Sequence, residues 1–416
     1  MVPSLQDIQG KPLTRQSFRR NNGNRLGYNV RVKLLLSLAS LIATAFLAWS
    51  FGRPADIPFK KHEIDLGANE TCTFADINGD GRLDIVSGEN WYESPRWTKH
   101  RFRELYFANN YIDAFSDHAV DVNGDGRNDV VTCSWFSKRI AWWENPARGT
   151  GDWKAHEIDN AGNVEFCWMV DLNNDGKALE LLPQFGGAKV PLSWYELKDR
   201  RWVKHVASPV SYGHGIGAGD VNGDGRADIL TPKGWLEAPS NPYQENWTLH
   251  SDWESTGHLG RLFTHDVNGD KLADIVTTMA HDYGVFWLEK TADGKFVKRM
   301  IDDAWSQAHA SALIDLNGDG RLDLITGKRF MAHNGRDPGE KEPLGIYWYE
   351  SMPGPDGKGI QWARHVVDYS TRTGAGMQIP VADIDGDGDL DFAVGGKSGV
   401  YLFENLTRSK PAAAKK

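Results

Sequence analysis

From Phe59 onward, apolar and polar positions alternate over runs of four to eight residues, with Gly, Asp, Asn and Pro gathered between the runs. A period of two sends successive side chains to opposite faces, so these runs predict strands, and no stretch past residue 52 carries a helical period. The runs come in sets of four. In one set, His214–Gly219 predicts a small-residue strand, Ala227–Thr231 a second, Trp235–Ala238 a third and Trp247–His250 a fourth. Third strands share a Trp-x-Glu flavour, as in Trp91-Tyr-Glu93, Trp143-Glu144, Trp194-Tyr-Glu196, Trp287-Leu-Glu289 and Trp348-Tyr-Glu350. The W-x-x-H-type fourth strand carries His62, His100, His156, His205, His250, Arg299 and His365 in turn. A side chain that recurs once per repeat is read as a packing or hydrogen-bonding residue of the outer strand.

Each first strand runs into an acidic loop. In Asp220-Val-Asn222-Gly-Asp224-Gly225-Arg-Ala-Asp228, oxygen-bearing side chains fall at positions one, three, five and nine, with glycine at six. Alternate side chains on a tight turn can supply the six to eight oxygens that Ca2+ takes, as in the front half of an EF-hand loop. Seven copies begin at Asp76, Asp121, Asp171, Asp220, Asp266, Asp315 and Asp383, most of them 45 to 50 residues apart. The expected ligand sets are Asp76, Asn78, Asp80 and Asp84; Asp121, Asn123, Asp125 and Asp129; Asp220, Asn222, Asp224 and Asp228; Asp266, Asn268, Asp270 and Asp274; Asp315, Asn317, Asp319 and Asp323; and Asp383, Asp385, Asp387 and Asp391. The third copy, from Asp171, has Leu179 at position nine and Glu180 one place late, so its site is expected to be weak or empty. In the fifth, Lys271 replaces the glycine, at a cost of about 1–2 kcal/mol if the residue is left-handed.

A repeat of this length with four strands predicts an all-β, seven-bladed β-propeller over residues 59–405. One fourth-type strand precedes the first Asp loop, and the last loop is followed only by a second and a third strand. Residues 59–65 are therefore expected to join the blade built from 377–405 and close the ring, leaving 406–416 as a polar tail.

Charge separates the N-terminus from this body. The chain carries −9, residues 1–58 carry +6, and the remainder therefore carries −15. Seven divalent ions would bring that close to neutral, so metal ligation accounts for the acidity, and no basic stripe suits nucleic acid. Residues 1–33 are polar and basic; 34–51 are mostly apolar and uncharged, which reads as a signal peptide or a membrane anchor. Either would place the body outside the cytoplasm, in the periplasm or on the cell surface, with membrane contact only through this segment. Cys72, Cys133 and Cys167 are read as buried small hydrophobes.

The D-x-[DN]-x-D-G-x-x-D loops in a Trp-rich propeller resemble the FG-GAP/VCBS repeat family, best known from the integrin alpha-chain head. Gly213-His-Gly-Ile-Gly-Ala-Gly219, Ala280-His-Asp-Tyr-Gly284, Gln307-Ala-His309 and Ala332-His-Asn-Gly335 look like a group of exported bacterial propellers. These are similar in turn to the propeller domain of aldos-2-ulose dehydratase. The first resemblance implies structural calcium. The second implies a zinc-type metal in a cleft at the propeller mouth.

Function is sought where the repeats differ. Six residues before each first Asp stand Glu70, Phe115, Glu165, His214, Gly260, His309 and Met377, a register too chemically mixed for a core position. Loops between second and third strands share that face and add Trp135, Lys233, His281, Asp282, Lys328, His333 and Lys397, with His258 nearby. Imidazoles converging with a carboxylate suit Zn2+ or another divalent transition metal. His214, His281 and His309 are the expected metal ligands, Glu165 or His333 the acid/base, and Lys233 and Lys328 substrate clamps. Residues 329–343 form the one long insertion and read as a rim or lid. Together with the resemblance to the dehydratase propeller, which implies sugar chemistry, these features point to a carbon–oxygen lyase, a sugar dehydratase or eliminase. The rival readings are a non-catalytic glycan- or protein-binding module at the cell surface, and a plain scaffold.

Overall fold

The structure, a computed structural model, describes residues 56–408 except positions 161, 256, 356 and 358. The chain divides into two units, Met1–Ala55 and Asp56–Lys416. The expected export segment at 34–51 lies outside the described residues, as does most of the expected tail. Among the described residues every regular element is a strand, and no helix is long and apolar enough to cross a membrane.

The alternating runs fold as β-propeller blades. A typical one orders Thr73–Ala75, Asp84–Ser87, Asn90–Glu93 and Thr98–Arg101 side by side, all antiparallel. Five separate four-stranded sheets of this kind are present among the described residues, not the seven separate blades expected. The fourth and fifth repeats instead share one eight-stranded sheet, joined by parallel pairing of Ile216–Gly219 with Arg261–His265. Their small-residue strand is the physical cause. A Cβ on Gly217 would lie 1.9 Å from the Leu262 carbonyl oxygen, so only glycine lets the two backbones approach closely enough to pair. The strand Phe59–Asp65 pairs antiparallel with Gly399–Asn405, and Phe59 packs edge-on against Phe392 at 5.3 Å.

The core lies between neighbouring sheets. One cluster joins Val120, Val131 and Ile140 of the second repeat to Leu181, Phe185 and Tyr195 of the third. Burying each such side chain contributes about 1.5–3 kcal/mol. Cys133 and Cys167 sit at this junction and form a disulfide, which corrects their assignment as plain small hydrophobes; Cys72 is a buried free thiol. Their strands belong to adjacent sheets, a proximity that 34 residues of separation do not reveal.

The recurring histidines do what their period predicts. His100 lies cross-strand from Trp91, stacks on it at 4.3 Å and reaches Glu93 at 2.9 Å. His156 on Trp142 with Glu144, His250 on Trp235 with Glu237, and His365 on Trp348 with Glu350 repeat the arrangement.

In the Asp loops, the first carboxylate turns inward on its own backbone. Asp220 accepts N–H groups from Gly223, Asp224 and Gly225, while buried Asp228 accepts those of Val221 and Ala238. Burial pushes the carboxyl groups of Asp84, Asp129, Asp228 and Asp274 up to about 6. In the third loop, Glu180 substitutes for the missing Asp, its longer side chain accepting Leu172 N–H at 3.0 Å. Lys271 is left-handed, with φ of 71°.

Candidate metal centre at the propeller mouth

Four side chains from four consecutive repeats converge at the mouth. Glu165 comes from the strand Val164–Val170, His214 from just before Ile216–Gly219, His281 from the loop ahead of Tyr283–Lys290, and His309 from just before Ser311–Ile314. Their ligand atoms all lie within 4.8 Å of one another. Backbone geometry aims them. His214 stands between Gly213 and Gly215 at φ of 105° and 114°, and a Cβ on Gly215 would strike Leu259 and Gly260.

The hydrogen bonds of the far ring nitrogens decide what the near ones present. His214 Nδ1 lies 2.7 Å from the Leu259 carbonyl, and His281 Nδ1 lies 2.6 Å from Asp337 Oδ2. Carbonyl and carboxylate oxygens only accept, so each Nδ1 carries a proton; neutral His281 turns an Nε2 lone pair inward, and His214 does the same unless a second proton on its Nε2 is donated to Glu165. His309 Nδ1 faces the Gln307 carbonyl at 3.4 Å in the same sense. His281 Nε2 consequently lies 3.2 Å from His214 Nε2 and 3.3 Å from His309 Nε2, and His214 Nε2 lies 2.9 Å from Glu165 Oε2. One nitrogen cannot satisfy two others that present lone pairs. The gathering calls for a cation, a proton on His214 or a metal. Tetrahedral zinc at about 2.05 Å from two nitrogens would set them about 3.3 Å apart, so these residues fit such an ion.

The electrostatics agree. His281 is pushed down to about 3, by burial first and then by the charge of His214. His309, with no exposed surface, is held well below the ordinary histidine value by burial and by Arg329. Burial opposes the charged form of Glu165, yet the opposite charges of His214 and Arg329 hold its carboxyl well below the usual range. Arg329 is the hub of the centre: it donates to Glu165 at 3.0 Å and to Glu70 at 2.8 Å, all three buried.

Beside the cluster opens a cavity of about 420 Å³. Tyr111, Phe115 and Phe136, in mutual ring contact, line it with Trp135, and His258, His333 and Arg336 also border it. His333 stacks on His281 at 4.2 Å, its Nδ1 2.9 Å from Asp337. His258 stacks on His214 at 5.0 Å. Lys233 and Lys328 do not line the cavity. Half-exposed Lys233 pairs with Glu254, and buried Lys328 donates to Ser306 Oγ at 2.9 Å. The register and loop alignment places Phe115 and Trp135 at this face, whereas Asp337, Arg329, Tyr111 and Phe136 are given no role from the sequence. The insertion that contains Asp337 and begins at Arg329 was the available signal.

Fold and site together define a β-propeller with a histidine-rich mouth. The model of the FG-GAP-like repeat family matches residues 121–180 and 266–326. No curated protein matches it. Among solved structures, an Agrocybe aegerita lectin, described as recognising non-reducing terminal N-acetylglucosamine, is 16% identical with a TM-score of 0.44. That match covers 85% of this chain and 92% of the lectin. The V. cholerae biofilm matrix protein Bap1 is 11% identical with a TM-score of 0.44, covering 86% and 92% of the two chains.

Proposed function

We propose that His214, His281 and His309, with Glu165 beside them, hold one divalent transition metal of the zinc type, and that the chain acts on carbohydrate as a metal-dependent lyase. The observation that carries this reading is the inward set of Nε2 lone pairs, fixed by acceptors on the far side of each ring. A bound zinc-type ion supplies Lewis acidity toward a carbonyl or hydroxyl oxygen. His333 borders the cavity with Nδ1 held by Asp337, which leaves Nε2 to take a proton from a bound sugar. Glu165, engaged by both Arg329 and His214, is better suited to steadying the cluster than to moving protons. The aromatic wall can take the apolar face of a sugar ring and keep water from it.

That wall also favours a second reading, a module that binds glycan without changing it. The test is elimination from keto-sugars and oligosaccharides by wild type and His309→Ala. Turnover by wild type that disappears with the metal in the variant supports the lyase. Retention of an unaltered glycan by both proteins supports the module.

For the Asp loops the reading is structural calcium. In the seventh, Asp383, Asp385 and Asp391 bring carboxylate oxygens within 4.8 Å of one another. Export of the body is supported by the disulfide, since such bonds persist in oxidising compartments. Mass spectrometry of the mature N-terminus distinguishes a cleaved signal from an anchor.

A further inference from the structure

The 329–343 segment reaches two members of the histidine–glutamate cluster that belong to other repeats. At its start, Arg329 holds Glu165; at its middle, Asp337 accepts the Nδ1 proton of His281. Between them His333 lies flat on the His281 ring, 4° from parallel, and shares Asp337. The segment is itself tied down at several points. Lys397 Nζ donates to the Met331 carbonyl at 2.7 Å, buried Glu340 accepts the His333 N–H, and Arg329 N–H reaches the Gln307 carbonyl at 2.9 Å. A plain rim loop would need none of these inward bonds.

We infer that the 329–343 segment is a clasp on the metal centre, with Asp337 as a positioning residue that sets metal affinity through His281. The inference rests on the metal reading above and adds its control. A carboxylate on Nδ1 makes Nε2 a stronger donor and fixes the ring, and loss of such a partner typically costs ten- to a hundredfold in metal affinity. Coupling is reciprocal: if a closed segment tightens metal binding, bound metal holds the segment closed by the same factor.

The test titrates metal-free wild type, Asp337→Ala and Asp337→Asn with zinc against a chromogenic chelator. Zinc affinity is expected to fall about ten- to a hundredfold in Asp337→Ala. Asp337→Asn should lose less, because its amide oxygen can still accept the Nδ1 proton. In parallel, trypsin cleavage at exposed Arg336 and Lys341 is followed with and without zinc. Zinc should slow cleavage in wild type and not in Asp337→Ala. The proteolysis of wild type alone decides the matter if the alanine variant does not fold. Unchanged affinity in Asp337→Ala, or cleavage of zinc-loaded wild type at the metal-free rate, overturns the clasp while the metal centre stands. Wild type that binds no zinc overturns both.

Discussion

The same residue pair, histidine and glutamate, does different work in two regions of this molecule. On the outer strands His100–Glu93, His156–Glu144 and His250–Glu237 recur in register, half-exposed, each ring flat on a tryptophan. At the mouth, Glu165 and three histidines meet once, buried except for half-buried His214, with the rings T-shaped to one another. The outer pairs are each complete, one acceptor to one ring. The mouth set is not, because its lone pairs outnumber its protons. Repetition marks a side chain that serves the blade, and departure from it marks one that serves a site.

The comparison breaks most severely at Arg329. Replacing it with alanine leaves buried Glu70 without its ion-pair partner and Glu165 with His214 alone, and about 3–5 kcal/mol of stability should be lost in urea unfolding. A loss under about 1 kcal/mol would show that the mouth is as forgiving as the outer strands.

Next comes His309→Ala. It should abolish tight zinc binding, read by elemental analysis after dialysis, at least a hundredfold in affinity. His250→Ala should leave zinc binding untouched. Equal loss in both variants would erase the distinction between the two regions.

Acid should separate the regions more gently. His281 and His309 stay neutral in the metal-free fold, whereas the unfolded chain takes up protons as pH falls through about 6.5. Lowered folded values therefore cost stability between about 6.5 and the folded value of about 3 that burial imposes on His281. The melting temperature of metal-free wild type should fall more between pH 7.5 and 5.5 than that of the His281→Asn/His309→Asn double variant. A steeper fall in the double variant would contradict the neutral assignment. The smallest effect expected is on the stability of His250→Ala, below about 1 kcal/mol by thermal melting, because its ion pair is half-exposed.

Much of this was legible before the fold. Aligning the repeats at the place six residues before each Asp brought out Glu165, His214 and His309, because a propeller carries that register to one mouth. What escaped depended on neighbours that no period encodes. Lys233 and Lys328 share a register but not a destination, since Glu254 draws one outward and Ser306 holds the other in the wall. Asp337 is one acid in a charged insertion until His281 is placed beside it. Two of the expected seven blades form one eight-stranded sheet because Gly217 admits the Leu262 backbone, which a run of small residues does not announce. The Cys133–Cys167 bridge likewise depended on which sheets became neighbours.

The most direct test of the central claim is a cobalt(II) titration of the metal-free protein in calcium buffer, followed by visible absorption. Intense tetrahedral-type bands are expected that saturate at one equivalent, are displaced by zinc and vanish in His309→Ala. A weak spectrum without saturation, unchanged in that variant, would contradict that claim.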